Sequence, residues 1–254
     1  MPQTTHSYGW IPDLPDQRDY LYAAPVEMIG ALPASVDLTS ACPTVYDQGR
    51  LGSCTANAIA GAMEFEQMKQ NLSPVFVPSR LFIYYNERAK EGTVDSDSGA
   101  QIRDGMKSVG KQGACPEDMW LYLIEKFREK PTDACYQVAL QHIAILYQRV
   151  NRDLAQMKGC LASGYPFVFG FTVYESFESD KVAQTGHAPM PKHGEKVLGG
   201  HAVLAVGYDD ANQWFIVRNS WGTGWGMQGY FTLPYTYLIS RSHASDFWTV
   251  RMVK

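Results

Sequence analysis

Gln48, Cys54, His201 and Asn219 are the side chains of this 254-residue chain whose types and spacing could do chemistry together. They lie in three short segments: Gln48-Gly49-Arg50-Leu51-Gly52-Ser53-Cys54, Gly199-Gly200-His201-Ala202-Val203, and Arg218-Asn219-Ser220-Trp221-Gly222-Thr223-Gly224-Trp225-Gly226. A thiol, an imidazole and a carboxamide supply a nucleophile, a base and a group that orients the base. A thiol at a helix start is eased toward the thiolate by unpaired amides and the macrodipole, and further by an adjacent imidazolium. A charged thiolate–imidazolium pair of Cys54 and His201 is therefore expected. Asn219 would fix the imidazole's direction and tautomer. The Gln48 amide and the Cys54 backbone N–H would hold a developing oxyanion.

These groups need a helix for the thiol and strands for the imidazole and carboxamide. Ala58, Ala62 and Phe65 recur at helical spacing, no proline interrupts Cys54 to Gln70, and Ser53 precedes as an N-cap. Ser79 caps a second helix running to Glu91, and Ile102, Met106 and Val109 mark a third. Pro116-Glu117-Asp118 reads as the opening of another helical turn, and Asn151 as the cap of a short helix to Ala162. The second half changes character. Pro166–Val173, His201–Tyr208, Trp214–Arg218, Gly229–Leu233 and Trp248–Val253 are short runs rich in β-branched and aromatic residues. Asp209 to Gln213 reads as the turn of a hairpin, and Tyr174 to Gly200 as a long polar loop. A helical half followed by a β-rich half predicts an α+β architecture. Ahead of it, Tyr8 to Asp16 carries glycine and prolines with Trp10, and predicts an extended arm packed on the body.

Composition narrows the function classes. With 45% hydrophobic residues the chain can bury a sizeable core, which excludes a disordered tail as the whole answer. A net charge of −4 argues against a nucleic-acid binder. No run reaches the roughly 18 apolar residues of a membrane span. Met1 to Trp10 carries no basic-then-apolar leader, which leaves cytoplasmic residence, another export route or prior removal of a leader. The cysteines, Cys42, Cys54, Cys115, Cys135 and Cys160, are too scattered for a disulfide framework or a zinc site, although a Cys115–Cys135 pairing stays open.

The three segments resemble the papain family of cysteine peptidases, especially its bacterial members. Gln48 lies six positions before Cys54, and His201 follows Cys54 by 147 residues, within the family's spacing of roughly 130 to 150. The run from Asn219 to Gly226 matches the family's asparagine motif almost letter for letter, and the likeness extends over about Leu32 to Lys254. The resemblance implies two lobes, a helical one over about 32–140 and an antiparallel, barrel-like β lobe over about 141–254, with residues 1–31 as an arm or short pro-segment. It implies a peptidase acting on peptides or proteins through a thioester, with no cofactor and no metal. Trp221 takes the family's role of shielding the His–Asn hydrogen bond, and Ser98 and Gly99 resemble the strip that pairs with substrate backbone; Gly200 is counted with them on the substrate side. Two residues depart from the pattern: Leu51 removes a half-cystine, and Thr55 replaces a large aromatic.

Other signals are weaker. Gly224 to Gly229 satisfies GxGxxG but is followed by a strand-like run, so it is no dinucleotide fingerprint. His6, His142, His187, His193 and His243 have no catalytic company. The same dyad serves acyl transferases and deamidases, and a catalytically silent binding module is a further rival. Part of the arm lying across the cleft is the sharper reading of Tyr8 to Asp16.

Overall fold

The computed structural model describes residues 6–254. The arm forms β1 (Trp10–Ile11) and β2 (Leu21–Tyr22), followed by α1 (Val26–Gly30) and β3 (Ser35–Asp37). Then come α2 (Cys54–Lys69), α3 (Arg80–Glu91), β4 (Ala100–Gln101), α4 (Ile102–Lys111) and α5 (Asp133–Ala139). The remainder is β5 (Ala144–Val150), α6 (Leu154–Ala162), β6 (Phe167–Tyr174), α7 (Asp180–Thr185), β7 (Val197–Asp209), β8 (Trp214–Arg218), β9 (Tyr230–Pro234), α8 (Tyr235–Ile239) and β10 (Ala244–Val253). The architecture is α+β, as the change of pattern predicts.

One sheet runs in the order β2-β5-β10-β6-β7-β8-β9, with β3 added on β7. Its two faces feed different cores because side chains alternate along a strand. Phe167, Phe169, Phe171, Val203 and Ala205 pack with Phe215, Phe231 and Trp225 on one side. Val168, Leu204, Val206, Trp248 and Val250 pack against Ile59, Met63 and Ile102 on the other. Fully burying one such large apolar side chain contributes about 1.5–3 kcal/mol.

The nucleophile helix departs from the expected one-sided stripe: in α2 every residue from Cys54 to Gln67 is buried. Ala56, Ala58, Ala60, Gly61 and Ala62 make this possible, because small side chains let strands and helices approach from several sides. A Cβ at Gly61 would come within 2.6 Å of the Arg218 guanidinium. Ser79 caps α3 as expected, accepting from Phe82 N–H at 3.1 Å, and Gly92 ends it at φ +71°. Four other expectations are corrected. Ser53 precedes α2, but its hydroxyl pairs with Tyr122 Oη at 2.5 Å and makes no cap bond. Pro116 to Asp118 forms a bridge and turn, with Pro78 pairing to Pro116, and opens no helix. The cap of α6 is Asp153, which accepts from Gln156 N–H at 2.9 Å; Asn151 lies two residues too early. The span from Tyr174 to Gly200 is no continuous loop, since it holds α7 and the start of β7. Strand β5 had no reading in the sequence.

The described part of the arm is tied down along its length. β1 runs parallel to β4 and β2 parallel to β5. Between them, Asp13 accepts from Trp248 Nε1–H at 2.9 Å and from Arg103 N–H at 3.0 Å. Arg103 pairs with Asp19 at 2.6 Å, Lys107 with Asp16 at 3.0 Å, and Arg149 with Asp19 at 3.2 Å and Asp246 at 3.0 Å. Among these, the Arg103–Asp19 pair has side chains only 6% and 3% exposed, so losing one partner would leave a buried charge, which typically costs about 3–5 kcal/mol.

Candidate active site

Cys54 and Asn219 sit at the ends of their elements, His201 inside a strand and Gln48 in the loop ahead of α2. Cys54 is the first residue of α2 and is fully buried. His201 lies within β7, opposite Phe171 of β6, and Asn219 directly follows β8. His201 and Asn219 are 18 residues apart but meet because β7 and β8 are antiparallel neighbours. His201 Nε2 lies 2.8 Å from Asn219 Oδ1. That oxygen also accepts from Ser220 N–H at 2.9 Å, which fixes the carboxamide with its oxygen toward the ring. Nε2 therefore carries the proton, and Nδ1 keeps a lone pair with no hydrogen-bond partner among the described residues. Trp221 stacks over the imidazole with ring centres 4.8 Å apart. The Cys54 sulfur is within hydrogen-bonding reach of the N–H of Ala202, the residue after His201.

Gln48 is fully buried in front of the helix. Its N–H donates to Ser220 O at 2.8 Å, and its Oε1 accepts from Ser220 Oγ at 2.6 Å. With the oxygen held, the amide nitrogen points the other way and donates to Leu51 O at 2.9 Å and Ser7 O at 3.1 Å. Ser220 was not singled out in the sequence, although it stands beside Asn219 and aims both Asn219 and Gln48.

Ionisation departs from the expected charged pair. Burial pushes the Cys54 thiol up to about 12 and the His201 imidazole down to about 4, the latter against the raising effect of Asn219. With both side chains shut from water, the neutral thiol–imidazole pair is favoured.

What shuts them in is the arm. His6 stacks on Trp221 with ring centres 3.8 Å apart, and Tyr8 meets His201 edge-on at 6.3 Å. Tyr8 Oη and His6 Nδ1 both reach the Glu178 carboxylate. The Gly9 N–H is within reach of the Cys54 sulfur, and Gly9 O accepts from Ala100 N–H at 2.7 Å. Gly9 must be glycine here, because a Cβ would run into the Gly52 backbone.

The expected substrate-side residues divide. Gly99, at φ +73°, lies against Gly9, and Gly200 lies against Trp10. Ser98 does not face the arm: its hydroxyl pairs with Thr93 Oγ1 at 2.9 Å and Gly99 O at 3.0 Å. Ala100 makes the backbone bond instead. All five cysteines are free thiols.

Known proteins share this arrangement of chain. Residues 32–238 match the family described as papain family cysteine protease. The chain is 43% identical to an uncharacterised peptidase C1-like protein of Acanthamoeba polyphaga mimivirus, over 98% of this chain and 88% of that one. The structure of xylellain, a cysteine protease from Xylella fastidiosa, superposes with a TM-score of 0.92 at 46% identity, covering 100% of this chain and 99% of that one. Mouse pro-cathepsin H is 28% identical over 80% of this chain, which spans 61% of its length. No helix among the described residues is long and apolar enough to cross a membrane.

Proposed function

The chain belongs to the papain family of cysteine proteases, and from that premise we propose how its residues divide the work of a cysteine endopeptidase acting on peptides or proteins. Cys54 is the nucleophile. Its sulfur attacks the scissile carbonyl as the thiol proton passes to His201 Nδ1, giving a tetrahedral intermediate. Gln48 Nε2–H and the Cys54 N–H hold the oxyanion. His201 returns the proton to the departing amine as the C–N bond breaks, leaving a thioester on Cys54. Water, losing a proton to the same nitrogen, then hydrolyses the thioester. Asn219 positions the ring, and Trp221 keeps water from the His201–Asn219 bond. Gly99, Gly200 and the neighbouring Ala100 line the substrate side; Ser98 supports the strip from behind.

The observation that carries this reading is the 2.8 Å bond from His201 Nε2 to Asn219 Oδ1, with Nδ1 left without a partner among the described residues. A base with one nitrogen anchored and the other free suits a proton shuttle. The acyl-transferase, deamidase and silent-module readings find no favour among the relatives. Cys54→Ala should abolish peptide hydrolysis while leaving the fold intact by circular dichroism; equal activity in that variant rejects the assignment.

The arm restrains this site. We divide the chain into residues 1–31 as that arm and 32–254 as the peptidase domain; residues 1–5 lie outside the described residues. Ser7 O accepts from the same Gln48 nitrogen that would hold the oxyanion, and Gly9 lies over the thiol. A docked arm therefore both blocks substrate and keeps the pair neutral. Its departure readmits water, and the thiolate–imidazolium pair becomes accessible. The test is a comparison of turnover in the full chain and a chain lacking residues 1–31; equal turnover rejects restraint.

A further inference from the structure

Two thiols outside the reacting centre stand together. Cys115 follows α4 and Cys135 lies in the first turn of α5, and both are buried in a small core with Phe82 and Ala139. Their side chains are within hydrogen-bonding reach of each other. The Cys135 sulfur also accepts from Thr132 Oγ1–H at 3.2 Å, and its S–H reaches Met119 O at 3.7 Å. The other thiols meet backbone groups instead: Cys42 reaches Leu38 O at 3.4 Å, Cys160 reaches Tyr165 O at 3.4 Å, and Cys54 the Ala202 N–H. Two buried sulfurs side by side suit either a metal or a disulfide. A structural metal site needs about four ligands, and among the described residues no three His, Cys, Asp or Glu side chains gather in that way.

The pair brackets a segment that bears on the site. Cys115 O accepts from Ser79 N–H at 2.8 Å at the start of α3, and Pro116 bridges to Pro78. At the other end α5 is short and rests on that small core, helped by Tyr136 Oη–H on Asn86 Oδ1 at 3.0 Å. Residues 116–132 between them form turns and one 3-10 turn at Ile124–Lys126, with Met119, Leu121 and Leu123 exposed. A stretch with so little internal bonding opens before the body does. Yet Tyr122 Oη donates to Gln48 O at 3.0 Å and pairs with Ser53 Oγ at 2.5 Å, and Ile124 lies against Gly49. Arg80, paired to Glu117 at 2.6 Å, stacks over the Tyr122 ring. The segment is the outer buttress of the loop that carries Gln48.

We propose that Cys115 and Cys135 are a modification site for low-molecular-weight disulfides, which close them into a disulfide that holds α5 and this buttress in place while Cys54 stays reduced. One thiol loses its proton and attacks the small disulfide, forming a mixed disulfide and releasing one thiolate. The second then displaces the other small thiol, so two electrons and two protons leave with two small thiols. Ring closure between sulfurs already side by side is favoured over any bond to a separate molecule. Cys54 can form only the latter kind with the same reagent, and a level of reductant that frees it leaves the internal bond closed. Closing a loop of about twenty residues shifts its opening equilibrium by about a hundredfold in chain-entropy terms.

The test equilibrates the full chain in glutathione buffers graded from reducing to oxidising, quenches with iodoacetamide and maps the digest by mass spectrometry. Over a range of ratios a peptide cross-linked through Cys115 and Cys135 should coexist with alkylated Cys54. Within that range thermolysin cleavage between residues 116 and 139 should slow by about tenfold or more, since cleavage follows the open population. Cys135→Ala should remove both the cross-link and the slowing, whereas Cys160→Ala should keep both. Should Cys135→Ala fail to fold, the unaltered chain compared across the buffers decides alone. Glutathione held singly on Cys115 or Cys135, a pair that closes only after Cys54 is oxidised, or a cross-link that leaves cleavage unchanged overturns the inference. None of these outcomes touches the assignment of Cys54 as nucleophile, and a chain without peptidase activity leaves both readouts intact.

Discussion

The reacting centre and the trough that holds the arm are a few ångströms apart yet are built on opposite principles. Gln48, Cys54, His201 and Asn219 act through the groups they carry, and each is flanked by neighbours that mark it. The trough acts through what is missing: Gly170, Gly199 and Gly200 leave room for the rings of Trp10 and Tyr8, and one carboxylate, Asp246, meets the indole. The first region is tuned by hydrogen bonds that fix orientation, and the second by shape and by the ion pairs that anchor the arm beyond it. Reactivity and recognition can therefore be altered separately.

Substitutions sharpen that separation, beginning with the largest effect. Cys54→Ala should remove peptide hydrolysis, a loss of at least about 10⁴-fold in kcat, without changing the melting temperature by more than a few degrees. Gln48→Ala should lower kcat by about a hundredfold, the usual cost of one oxyanion donor. It also removes the donor to Ser7 O, so its effect on the arm opposes its effect on chemistry, and single-turnover rates with the arm removed isolate the latter.

In the second region the sign reverses. Trp10→Ala should raise steady-state turnover of the full chain about tenfold or more, because a half-buried indole contributes about 2 kcal/mol to docking and each 1.4 kcal/mol is a factor of ten. Turnover left unchanged or lowered would break the comparison. The smallest effect is a pH dependence of the arm alone. Burial, and then the neighbouring Asp246 carboxylate, raise the Asp13 carboxyl to about 6, against the lowering pull of Arg103 and Trp248. A raised value in the docked state means that docking takes up a proton. The resulting stabilisation is full below the ordinary aspartate value near 4 and is lost as pH rises through 6. The ratio of Trp10→Ala to unaltered turnover should accordingly fall from pH 4.5 to pH 7. Asp13→Asn, a neutral stand-in, should flatten that ratio.

The same division explains what could be read in advance. The four reactive residues were legible because their chemistry is written in single side chains at fixed spacing. Helix α3 was legible because Ser79 and Gly92 bracket it. The all-round burial of α2 was obscured, since alanines fit an amphipathic stripe and a crowded centre equally well. Strand β5 was hidden because Gln148 and Arg149 within a mixed pattern gave no alternation. Asp246, Ser220 and Glu178 went unread for a different reason: their partners Trp10, Gln48 and Tyr8 lie between 170 and 236 residues away, and no local pattern announces them. The ionisation state was misjudged because helix and imidazole effects were weighed without the arm, whose presence makes desolvation the larger influence at Cys54 and His201.

Rapid quenching of the full chain with an activated ester substrate, followed by peptide mapping in a mass spectrometer, puts the most direct question to the site. One acyl group per molecule should be found on Cys54, formed more slowly in Asn219→Ala and faster once residues 1–31 are removed. Acylation spread over Cys42, Cys115, Cys135 or Cys160, or turnover with Cys54 never modified, would contradict the account at its root.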